Sequence, residues 1–134
     1  MEKTDMIGIW AANANIFLYV IGVASLLFFG LPILVTPLGW ARAMRWDIPQ
    51  QRDLAMLLGR SLGLIISTIA IFAFRVTQIP VAKPFFFDLI LCIFVEMFLL
   101  HVFGAVRKAQ PITETFEIIL WAVLSLLTLG FYPI

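Results

Sequence analysis

The stretch 85–101 reads FFFDLILCIFVEMFLLH, and its two carboxylates, Asp88 and Glu96, share an otherwise oily run with the chain's one histidine, His101. These residue types can do chemistry. Histidine has an unperturbed pKa of about 6.5, which suits it to proton exchange and ligand binding, and a carboxylate can relay a proton or hold a cation. Arg60, Glu114 and Glu117 extend the set within other apolar runs. An unpaired charge in hydrocarbon costs about 2.5–3.5 kcal/mol at a helix centre, so intramembrane ionisable groups should face protein and find one another. Arg60 is the expected partner of Glu96, with Glu117 and His101 as the other candidates.

Most catalytic constellations are absent. One histidine stands without an HxxxH or ExxH pair, so no metal site is expected from spacing, and a haem held by two histidines of this chain is excluded. No glycine-rich phosphate loop follows a strand, and no GxSxG elbow occurs. The single Cys92 permits no internal disulfide and reads as an inert apolar residue. No cofactor is expected, and a non-enzymatic role is favoured.

The elements that carry these residues follow from composition. Of 134 residues, 63% are hydrophobic and 13% charged, with mean hydropathy +1.06, about half the charge of an ordinary soluble domain. The solvent is a bilayer. A net charge of +1 without a basic block argues against nucleic acid as a partner. A membrane core about 30 Å thick needs about 20 apolar residues per helix, and four such runs occur, at 9–31, 54–74, 85–106 and 113–132. Gly30 and Pro32 should end the first, Pro84 opens the third, and Thr113 and Glu114 suit the start of the fourth. The expected fold is all-α, a bundle of four transmembrane helices forming one domain. A membrane barrel would show alternating segments of about 10 residues instead.

The N-terminal MEKTDMIGIW balances acid against base and leads into a run too long for a signal peptide, so this run is expected to stay as a span. Between the first two spans, TPLGWARAMRWDIPQQRD interleaves Trp40, Met44 and Ile48 with Arg42, Arg45 and Arg52, a pattern suited to a short amphipathic segment in the headgroup layer, against membrane lipid. Arg42, Arg45, Arg52, Arg107 and Lys108 lie in the loops after spans 1 and 3, against Lys3, Arg75 and Lys83 on the opposite face. This bias puts those loops in the cytoplasm and both termini outside, in the cytoplasmic membrane if the source is bacterial.

With a rise of about 1.5 Å per residue, Arg60, Glu96, His101, Glu114 and Glu117 fall in one inner layer, and Asn13, Asn15 and Asp88 in an outer one. Glu96 and His101 point about 140° apart on their helix, so they cannot both face one neighbour, whereas Asp88, Cys92 and Glu96 share a stripe. Trp121 lies on the face of Glu114 and Glu117. Ala55, Gly59, Gly63 and Ser67 recur every fourth residue, a small-residue ridge that admits a close helix from this chain or from another subunit. The function classes left are a non-enzymatic subunit or self-associating module of a membrane complex, with a homo-oligomer or larger assembly as partner, and a small transporter, proton relay, or lipid or quinone binder using the charged layer.

Overall fold

The computed structural model describes residues 6–134, so Lys3, one of the cations counted above, lies outside the described residues. Five helices form and no strand occurs among the described residues. They are α1 (Ala11–Val35), α2 (Pro37–Ala43), α3 (Asp53–Val76), α4 (Lys83–Val106) and α5 (Ile112–Gly130). All but α2 are long and apolar enough to cross a membrane. The chain divides into two compact units, one from Leu18 to Arg75, the other made of the segment up to Phe17 with Val76–Ile134.

In the Leu18–Arg75 unit, α1 does not end at Gly30 and Pro32 as the sequence pattern suggests. Pro32 lacks an N–H and its ring presses on the carbonyl four residues back. A wider π turn over Leu26–Gly30 absorbs this misfit, and the helix continues to Val35. The Phe28 carbonyl accepts a hydrogen bond from the Trp40 indole N–H of α2 at 3.3 Å. Thr36, at φ −133° and ψ 67°, then breaks the helix before Pro37 opens α2.

The small-residue ridge of α3 faces this end of α1. A Cβ added at Gly63 would lie 2.7 Å from the Cα of Leu34, one at Gly59 2.6 Å from Pro37, and one at Gly30 2.5 Å from the Ser67 hydroxyl. Residue numbers climb on α1 as they fall on α3, so the two helices run antiparallel in close backbone contact. Only residues without bulk fit there.

In the other unit, α4 and α5 form a hairpin through a five-residue turn. Lys108 takes a left-handed φ of 52°, with Ala109 N–H bonded to the Gly104 carbonyl at 2.9 Å and Lys108 N–H to that of Ala105 at 3.1 Å. This is the Schellman ending of a helix, here with lysine where glycine is usual. At the far end of the hairpin, the N-terminal segment caps α5. Gly8 N–H donates to the Leu129 carbonyl at 2.9 Å and Trp10 N–H to that of Gly130 at 2.8 Å, satisfying acceptors that a helix C-terminus leaves open. Phe17 stacks on Phe131 at 4.9 Å, and Phe87 packs against both Phe17 and Tyr132.

Candidate functional site

Near the turn of the α4–α5 hairpin, His101 meets both acids of α5. Its Nε2 lies 2.9 Å from Glu114 Oε2 and 3.1 Å from Glu117 Oε2. His101 and Glu114 are 5% and 6% exposed, which makes this the interior of the hairpin. Spacing explains the convergence. Glu114, Glu117 and Trp121 are three and four residues apart, hence on one face of α5, and the short turn brings that face against the last turns of α4. The Trp121 ring lies 5.9 Å from that of His101 and edges the site.

A helix terminus favours one of these charges. Glu114 occupies the first turn of α5, where the helix dipole stabilises an anion. Gln110 fixes the turn above them. Its amide donates to the His101 carbonyl at 3.0 Å and to the Thr115 hydroxyl at 3.1 Å. Gly104 makes this possible, because a Cβ there would collide with the Gln110 side chain.

One hydrogen bond sets the chemistry. His101 Nδ1 lies 2.7 Å from the Met97 carbonyl oxygen, which can only accept, so Nδ1 carries the hydrogen. In the neutral ring Nε2 is then a bare lone pair aimed at two carboxylate oxygens. Such a contact is repulsive until a positive species lies within it: a proton on the ring or on a carboxyl, or a metal ion.

The remaining candidates of the charged layer do not join this cluster. Glu96, about 140° around α4 from His101, is exposed, as are Asp88 and Cys92 on the same stripe. The expectation that Glu96 turns inward therefore fails: the inward face of α4 is the one carrying Phe87, Ile90, Phe94 and His101. Cys92 likewise is not a buried residue. Arg60 is exposed on α3, in the other unit. Of the outer layer, Asp88 accepts a hydrogen bond from the Tyr132 hydroxyl at 2.8 Å, and Asn15 Oδ1 is buried with no hydrogen bond. Asn13 is exposed. The sequence reading missed Gln110, the Met97 carbonyl and Tyr132. The first two are ordinary residues whose role comes from a turn and a backbone atom, while the Asp88–Tyr132 pair was open to inference from the two ends of one hairpin.

Compared with models of protein families, with curated proteins and with solved structures, the chain matches none. Its class therefore rests on its own features among the described residues: four helices long and apolar enough to cross a membrane, and a His–Glu–Glu cluster buried at His101 and Glu114.

Proposed function

We propose that the chain is a small integral membrane protein that holds an exchangeable cation at His101, Glu114 and Glu117. The observation that carries this reading is the approach of two carboxylate oxygens to one imidazole nitrogen whose partner nitrogen is already committed to Met97. In a bilayer the four long helices are the spans and α2 lies in the headgroup layer. The cation bias of the loops puts the site on the cytoplasmic side, about 8 Å inside the end of α4. That depth suits exchange with water at one face of the membrane.

For a self-associating subunit, the α3 ridge is the surface on which another copy could dock. Gly59, Gly63 and Ser67 lie against Pro37, Leu34 and Gly30 of the same chain, which supports a role of the ridge in packing within the protein.

Because the chain has one histidine, labelling histidine with ¹⁵N gives one imidazole to follow. Nδ1 should remain protonated throughout, while the Nε2 resonance moves saturably with a cation, whether proton or metal ion. An Nε2 resonance unmoved between pH 5 and 9 and unmoved by divalent ions would refute the reading.

A further inference from the structure

Resting on the reading of this cluster as a cation holder, we infer that the cation is a divalent transition metal of the zinc class, bound by His101 Nε2 and one oxygen each of Glu114 and Glu117. The first support is the donor set. One imidazole nitrogen with two carboxylate oxygens suits zinc and its neighbours, whereas magnesium and calcium take oxygen donors. All three ligand atoms lie within 4.8 Å of one another, and two of the separations are 2.9 and 3.1 Å. A tetrahedral ion with bonds of about 2.05 Å needs ligand separations of about 3.3 Å. Binding therefore requires the carboxylates to rotate, lengthening the two short separations to His101 Nε2 and bringing the two glutamate oxygens, now within 4.8 Å, to about the same spacing.

The second support is orientation. Metal-bound histidines donate their other ring N–H to a carbonyl or carboxylate, which fixes the tautomer and aims the lone pair. The Met97 carbonyl does this for His101 at 2.7 Å. Gln110, bonded to the His101 carbonyl and to Thr115, ties the two ligand-bearing helices together.

The third is charge. A divalent ion cancels the charge of both carboxylates, so that the ion, the two glutamates and the neutral imidazole together carry no net charge. A neutral assembly is the cheaper one to hold out of water. Three protein ligands leave a fourth position for water or for a ligand being exchanged, the arrangement of an open site rather than a closed structural one.

The test uses the full chain in detergent, stripped with a chelator and titrated with Co²⁺. One Co²⁺ per chain should bind with visible d–d absorption and be displaced by Zn²⁺, while the ¹⁵N signal of Nε2 shifts and Nδ1 keeps its hydrogen. Glu114→Gln and Glu117→Gln should each weaken binding by more than the roughly 100-fold upper end for an outer-shell partner, and Glu96→Gln should bind as the parent does. A retained Nδ1–H signal certifies that each variant keeps the α4 geometry. Absence of saturable binding to the folded parent chain, or binding that neither glutamine variant changes, overturns the metal site. If Co²⁺ fails to bind but Nε2 still responds to pH, the metal inference falls and the cation-holding reading stands. If neither responds, both fall.

Discussion

Replacing His101 by leucine, with metal removed by a chelator, leaves Glu114 and Glu117 facing each other across a buried space. Their ligand oxygens lie within 4.8 Å, and two unit charges no farther apart than that repel by at least about 3.5 kcal/mol at an effective dielectric of about 20. The hydrogen bond to Met97 is lost as well, adding about 1 kcal/mol. His101→Leu should therefore destabilise the fold by about 4.5 kcal/mol, within the range found when one partner of a buried ion pair is removed. Adding Glu114→Gln and Glu117→Gln to the same chain removes the repulsion and should return about 3 kcal/mol. Reversible unfolding in mixed micelles measures both. A triple variant no more stable than His101→Leu alone, or a single variant costing under about 1 kcal/mol, would refute the electrostatic account.

Gly63→Ala should cost about 3 kcal/mol of overpacking, since its Cβ would sit 2.7 Å from the Leu34 Cα and force two backbones apart, less the roughly 1 kcal/mol gained in helix propensity, a net loss of about 2 kcal/mol; equal or higher thermal stability would remove the α1–α3 contact. The Tyr132 pKa is raised above its usual value near 10 by the hydrogen bond to Asp88, with burial and the Asp88 charge adding. That bond thus contributes stability below pH about 10 and loses it as pH rises through the folded value. Alkaline absorbance titration of a Tyr19→Phe chain should show the raised midpoint, and Asp88→Asn should bring it back toward the ordinary one; an unchanged midpoint would argue against the bond. For orientation, cysteines introduced near Lys83 and at the C-terminus of a Cys92→Ala chain should label from outside, and those near Arg45 and Lys108 only after permeabilisation. The reverse pattern would invert the topology and leave the spans untouched.

The long helices and their apolar character were legible in the sequence because a helix able to cross a bilayer is a local, one-dimensional property: enough consecutive residues without charge. The same locality exposed the α3 ridge, which needs only a spacing of four, and the shared face of Glu114, Glu117 and Trp121. Pattern alone failed where a remote group rescued a local defect. Pro32 reads as a stop, yet a π turn and the Trp40 indole accommodate it, and α1 runs on to Val35. It failed again for the cluster. Glu96 and His101 are five residues apart and look equivalent by depth, but their 140° offset leaves one exposed while the other is buried against α5. The meeting of His101 with Glu114 and Glu117 arises only when the left-handed Lys108 turn folds α5 back on α4, bringing residues 13 and 16 positions apart onto one nitrogen. Hydropathy decides which segments leave water. Which side chains then meet depends on helix phase and turn geometry, and those are decided by packing.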